Sequence, residues 1–184
     1  MQHKNGNKNI YTKQELEQCY LKFIEPNFKE DERYPLNEFC DYFSTDSFSK
    51  YHHIEIGDKH VLLWCDLPND IKFIEFFVVD EKFRNKGLGE KIIRAWMTKN
   101  NNPKIMADVD SERALKFWNK VGIRKIPDFH YIQPPLFNGF YQVDSTILSS
   151  NFEQTNKELY KNLNNWFKYG LGMENVDEKF LPSI

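Results

Sequence analysis

The segment of this chain best suited to chemistry is Arg84-Asn85-Lys86-Gly87-Leu88-Gly89, which follows an apolar run at residues 71–79 and opens a stretch of helical periodicity. Glycines let the main chain bend so that several N–H groups point to one place, and the start of a helix adds about half a unit of positive charge there. Lys82, Arg84, Lys86 and Lys91 bring cations nearby. The combination describes an anion cradle, and a diphosphate is its natural guest.

Spacing separates the kinds of protein that build such a cradle. A P-loop requires G-x-x-x-x-G-K-[ST], whereas Gly89 is followed by Glu90 and Lys91, with no hydroxyl for magnesium. A dinucleotide fingerprint G-x-G-x-x-G finds Ile92 at its third glycine and needs a tighter strand-to-glycine turn than residues 80–86 provide. Asp108 and Asp110 do stand about 20 residues downstream, where a ribose-binding acid belongs, so an NAD-type enzyme stays open as a rival.

The remaining pattern, R-x-x-G-x-G after an apolar strand, is filled by Arg84, Gly87 and Gly89 and resembles motif A of the GNAT acetyltransferases. Downstream, Ala114, Phe117-Trp118 and Gly122-Ile123 resemble the alanine, Phe-Tyr pair and Gly-Phe of the family's next motif. The segment NFKEDERYPL is similar to substrate-side helices in one group of these enzymes, and YIQPPL, residues 131–136, to a stretch near their sixth strand. The similarity covers roughly residues 23–148.

The resemblance implies an acetyl-CoA-dependent enzyme, or one using a related acyl-CoA, that transfers the acyl group directly to a primary amine without a metal. It implies that the main chain of Phe77, Val78 and Val79 pairs with the pantetheine arm, with one of their N–H groups stabilising the oxyanion. The pyrophosphate is then held by main-chain N–H groups of Asn85, Lys86, Gly87, Leu88, Gly89 and Glu90, beside Arg84. Glu75, two residues before Phe77, becomes the candidate base, against the alternative of a solvated or lysine-paired strand residue. The family's frequent tyrosine acid falls at Trp118, whose indole N–H cannot protonate a thiolate. Tyr131 is taken as the substitute acid, with His130, Tyr20 and solvent as alternatives. A catalytically silent acyl-CoA-binding module is the other open reading. Ser111 stands where the family often has a cofactor-contacting asparagine, and also reads as a helix cap.

These residues need elements to position them. Thr12 and Glu15 form a capping box for a helix with Leu16, Cys19, Tyr20, Phe23 and Ile24 on one face, stopped by Pro26, and Pro35 opens a second helix through Leu36, Phe39, Cys40 and Phe43. Residues 51–56, 60–65 and 71–79 read as an antiparallel meander joined by Gly57-Asp58 and Leu67-Pro68-Asn69-Asp70. A helix over 87–98, a strand over 104–109, a helix over 113–120, strands over 123–132 and 140–148, and a helix over 152–169 follow. This is an α/β fold, a single domain with a mixed sheet flanked by helices. The pattern predicts six strands and the resemblance about seven. Residues 1–10 read as a flexible lead-in, 11–150 as the acyltransferase domain and 151–184 as a C-terminal helical extension packed on it.

The 184 residues suit one core, with 40% hydrophobic and 16% aromatic residues. Twenty-five Lys and Arg against 27 Asp and Glu leave a formal charge of -2, which supplies no global field for nucleic acid. Cys19, Cys40 and Cys65 suggest neither disulfides nor a zinc site, and no apolar span suggests a membrane, so the chain is expected in the cytoplasm as a monomer or homodimer acting on a small-molecule or peptide amine. His52 and His53 alternate on a strand, cannot share one metal, and read as structural. The charge run Glu30 to Arg33 reads as a solvated turn, with a place for Glu32 or Arg33 beside the acceptor pocket as the alternative that the resemblance implies, and Cys65 is expected to serve packing.

Overall fold

The computed structural model describes residues 11–44, 51–109, 111–127, 131–132, 144–149, 155–166 and 168. The Thr12 hydroxyl accepts from the Glu15 N–H at 3.3 Å, and the Glu15 carboxylate accepts from the Thr12 N–H at 2.7 Å. This reciprocal cap starts α1 (Lys13–Cys19), which passes into a wider turn at Tyr20–Ile24 where Glu25 N–H reaches back to Tyr20 C=O. The expected single helix is therefore an α-helix and a π-turn in series. Both wind Leu16, Cys19, Tyr20, Phe23 and Ile24 onto one buried face, so apolar spacing alone does not separate them. Helix α2 (Leu36–Ser44) follows Pro35 and buries Phe39, Cys40 and Phe43.

Strands β1 (His52–Gly57), β2 (His60–Leu67) and β3 (Ile71–Val79) form the expected meander. Helix α3 (Leu88–Lys99) returns the chain to β4 (Lys104–Val109), which pairs parallel to β3. Helix α4 (Glu112–Lys120) ends at Gly122, whose φ of 92° suits glycine. The last strands are β5 (Arg124–Lys125), β6 (Tyr131–Ile132) and β7 (Asp144–Ser149), before α5 (Asn156–Asn165). Sheet order is β1-β2-β3-β4-β7-β5, with β6 also on β7.

Five of these strands have six or more residues, so the expectation of about seven is met only by counting the two-residue β5 and β6. Residues 123–132 do not form one strand because Pro127 lacks the N–H a ladder needs; β5 lies before it and β6 beyond it. Helix α5 is shorter than expected because Thr155 caps it, its hydroxyl accepting from Glu158 N–H at 3.3 Å. Residues 1–10, 140–143 and 169–184 lie outside the described residues.

Two layers of helices enclose the sheet. On one face Phe76, Val78, Val61 and Leu63 pack against α1 and α2, while Phe73, Ile71, Cys65, Leu67 and Met106 pack against Leu159, Leu163 and Trp166 carried by α5. On the other face Ile74, Ile105, Ala107 and Leu62 meet Ile93 and Trp96 of α3 and Trp118 of α4. Each such apolar side chain contributes roughly 1.5–3 kcal/mol by leaving water. Pairing of β2 with β3 slips by one residue between Leu63 and Trp64, so Glu75 opposes nothing on β2. This bulge places Glu75 and Phe76 on the same face.

Candidate active site

The loop after β3, residues 80–87, leads into α3 where the sequence places the candidate cradle. Asn85 (φ 61°) and Gly87 (φ 75°) adopt left-handed conformations that turn the chain into α3. Thr12, Ser111 and Thr155 cap α1, α4 and α5 with their side chains, whereas Gly87 gives α3 no side-chain cap. The first backbone bond of α3 runs from Lys91 N–H to Gly87 C=O at 3.2 Å, which leaves the N–H groups of Leu88, Gly89 and Glu90 at the helix mouth. A diphosphate satisfies such groups. Gly89 is closely packed: a Cβ there would lie 3.1 Å from Phe117 Cε2, so the ring would have to give by a few tenths of an ångström, and 3.5 Å from Val79 Cγ2.

The basic side chains brace this loop. Arg84 Nε donates to Val79 C=O at 2.7 Å and its Nη2 donates to Asn27 Oδ1, tying the loop to the turn after α1. Lys86 Nζ donates to Lys82 C=O at 2.9 Å. Glu90, whose negative charge would oppose a phosphate, has Lys120 Nζ and Arg94 Nε each at 3.0 Å from one of its oxygens. Lys120, and then Arg94, hold its carboxyl below the usual carboxylate range.

Beside the cradle the sheet opens. Parallel pairing runs from Ile71 opposite Lys104 to Ile74 opposite Ala107 and then stops, while β4 turns to pair with β7 through Val109 opposite Thr146. Phe76 to Val79 keep β2 as their partner. Among the described residues, the β4-facing edge of β3 therefore has no strand beside it from Glu75 onward, although Val79 C=O accepts from Arg84. An open edge at the centre of a sheet requires water or a hydrogen-bonding guest.

Glu75 stands where the edge opens, its side chain only 3% exposed. Its Oε1 accepts from the Tyr34 hydroxyl at 3.4 Å and from Trp166 Nε1 at 3.3 Å, and His52 Nε2 lies 3.4 Å from the same oxygen. Oε2 is buried and has no hydrogen-bond partner among the described residues. Burial, and then the Glu75 charge, push the Tyr34 phenol well above its ordinary range, so it remains a donor. The sequence reading of Glu75 as a solvated or lysine-paired residue is thus corrected. His52 and His53 do face opposite ways, but His52 is a neighbour of the carboxylate, a role its sequence position did not signal; His53 stacks on Trp64 at 5.2 Å.

The other candidates fall as follows. Tyr131 sits on β6 opposite Ser145, one residue beyond Thr146, which pairs with the last residue of β4. Its strand pairs with β7 and, among the described residues, with neither β3 nor β4. Tyr20 donates its hydroxyl to Tyr34 C=O at 2.6 Å, which accounts for it structurally. Trp118 is buried beside Phe77 and Phe117, their ring centroids 6.1 and 5.1 Å away. Ser111 caps α4 through Ala114 N–H at 3.3 Å. Glu32 bonds to Lys29, and Arg33 donates to Glu25 C=O at 2.6 Å. Cys65 is buried, with its thiol pushed up by burial and by Glu75. His130 lies outside the described residues. No group of three or more potential ligands is placed to hold a metal among the described residues.

A mixed sheet whose central parallel pair parts beside a glycine-bearing strand-to-helix turn, with helices on both faces, defines the α/β class of the fold. The family model described as "Acetyltransferase (GNAT) family" matches residues 16–123, and the chain belongs to that family. Among solved structures, a GNAT-family protein from Bacteroides thetaiotaomicron superposes with a TM-score of 0.75 at 15% identity, over 90% of this chain and 98% of the other. A Streptococcus mutans protein gives 0.55 at 19% identity, over 78% and 97%. A spermidine N-acetyltransferase chimera from Vibrio cholerae gives 0.56 at 12% identity, over 77% and 92%. These likenesses establish the fold. No curated protein sequence matches the chain. Among the described residues no helix is long and apolar enough to cross a membrane.

Proposed function

We propose that this protein is an N-acetyltransferase that moves the acetyl group of acetyl-CoA, or of a related acyl-CoA, directly to a primary amine of a small molecule or peptide. The observation that carries the reading is the meeting, at one end of the sheet, of the uncapped start of α3, the open edge of β3 and a buried carboxylate with one unpartnered oxygen. Acetyl-CoA supplies the activated thioester and a thiolate leaving group. Main-chain N–H groups of residues 85–90 bind its diphosphate, and the Phe77 to Val79 edge lines up its extended arm while one N–H faces the developing oxyanion. Glu75 Oε2 takes the amine proton, directly or through one water, so that the nitrogen attacks the carbonyl carbon as the C–S bond breaks. The departing thiolate takes a proton from Tyr131 or from solvent. Residues 11–150 are assigned to the transferase domain and 151–184 to an extension, of which Leu159, Leu163 and Trp166 pack on the sheet, in a cytoplasmic protein.

Thermal unfolding with acetyl-CoA, CoA, desulfo-CoA and NAD tests the reading, beside Gly89→Glu, which blocks and repels a diphosphate. Ligand at a hundredfold its Kd raises Tm by on the order of 5–10 °C for a chain of this size. The CoA compounds are expected to give that shift in the native protein and none in the variant. A shift with NAD alone overturns the assignment in favour of a dinucleotide enzyme. A CoA shift with no thiol release across a panel of primary amines makes the protein a binding module.

A further inference from the structure

Trp166 lies 43 residues beyond the segment matched by the family model, which ends at residue 123, and it contacts the candidate base. Leu159, Leu163 and Trp166 follow the helical spacing of four and three, and all three are buried against the sheet. That registry lays the indole flat on Phe73, centroids 4.2 Å apart and planes within 15°. Phe73 and Glu75 are neighbours on one face of β3, so a ring stacked on the first directs its N–H to the second. The N–H reaches Glu75 Oε1 at 3.3 Å.

We propose that α5 is part of the active site and that Trp166 is a positioning residue for Glu75. This rests on the transferase reading above. Two donors converge on one oxygen, Tyr34 from the segment before α2 and Trp166 from the end of α5, and His52 Nε2, on β1, lies 3.4 Å from the same oxygen. A carboxylate held this way cannot rotate without losing them, and Oε2 is the oxygen left to receive a proton. Trp166 touches neither cofactor nor acceptor in this scheme. It acts through the orientation of Glu75, and packing of α5 decides how well that orientation is kept.

The test compares the full chain with Trp166→Phe, which keeps a ring over Phe73 and deletes the donor, and with Trp166→Leu, which deletes both. Thiol release with primary amines gives kcat and KM, thermal unfolding gives stability, and an indole-labelled nitrogen spectrum follows the four tryptophans. In the spectrum, Trp166→Phe identifies the Trp166 N–H signal by its loss, and Glu75→Gln is expected to move that signal. Trp166→Phe is expected to lower kcat about tenfold, the loss of one hydrogen bond to a charged group, with KM for acetyl-CoA changed by no more than about twofold. Trp166→Leu is expected to lower Tm in addition. Turnover by Trp166→Phe equal to wild type overturns the positioning role and leaves the transferase reading intact. An N–H signal indifferent to Glu75→Gln does the same without any acceptor being known. Failure to bind acetyl-CoA overturns the transferase reading, and this proposal with it.

Discussion

Replacing Glu75 with glutamine isolates the carboxylate's chemistry from its packing. The amide has the same shape, and its oxygen, placed at Oε1, still accepts from Tyr34 and Trp166. Its nitrogen then occupies the Oε2 position, where no partner is displaced among the described residues. The candidate cradle belongs to another segment, with Gly87 at its turn and Gly89 in the first turn of α3. Folding and acetyl-CoA binding should therefore survive, and Tm should not fall. What is lost is a base, and general-base catalysis contributes about 10²–10⁴ in rate, roughly 3–5 kcal/mol of transition-state stabilisation. The assay is thiol release with the best amine found in a panel, alongside the acetyl-CoA thermal shift. A kcat within about tenfold of wild type would remove Glu75 from the mechanism. A variant that loses acetyl-CoA binding would show instead that the carboxylate holds the sheet in shape.

At Gly87 a Cβ would meet nothing within 4 Å, so Gly87→Ala pays only for the left-handed conformation, about 1–2 kcal/mol in chemical denaturation, while keeping the acetyl-CoA shift. His60, followed by Lys99, holds the Glu55 carboxyl below its usual range against the effect of burial. A depressed carboxylate contributes stability that is present above the unfolded value of about 4.3 and lost as pH falls through the folded one. Glu55→Gln should accordingly lower stability by less than about 1 kcal/mol at pH 7, with the difference shrinking as the pH of urea titrations falls through the depressed folded value. Burial pushes the Cys19 thiol up to about 12 and raises Cys65 and Cys40 as well. Native protein should resist maleimide until unfolded, and acetyl-CoA should leave no acyl group on the chain; a cysteine labelled in the native protein would refute the burial of these thiols, and an acylated one would refute direct transfer.

Local features of the site could be read from the sequence. Strand β3 ends where its apolar run ends, Gly87 turns where glycine is needed, and Thr12 caps as its spacing to Glu15 requires. Each depends on residues within a few positions of one another. The environment of Glu75 is different: Tyr34, His52 and Trp166 come from 41, 23 and 91 positions away and meet only through packing. No local pattern marks His52 as a neighbour of a carboxylate, and Trp166 reads simply as one more apolar residue of an amphipathic helix. Pro127 was a local signal, and it divides the strand expected over residues 123–132.

One irregularity links the two halves of the site. Strict alternation from Phe73 would send Phe76 and Val78 to the face of α3 and α4, yet both pack against α1 and α2. The adjacent apolar pair Phe76-Phe77 hides this slip, because either face accepts a phenylalanine. The extra residue is Glu75, and parallel pairing with β4 ends at Ile74, immediately before it. A bulge bends and over-twists its strand, so the same inserted residue that sends the carboxylate among the helices also turns β3 away from β4. On this argument the open edge and the buried carboxylate have one cause. The strand departs from regularity at the point where an amine and an extended thioester arm would have to meet.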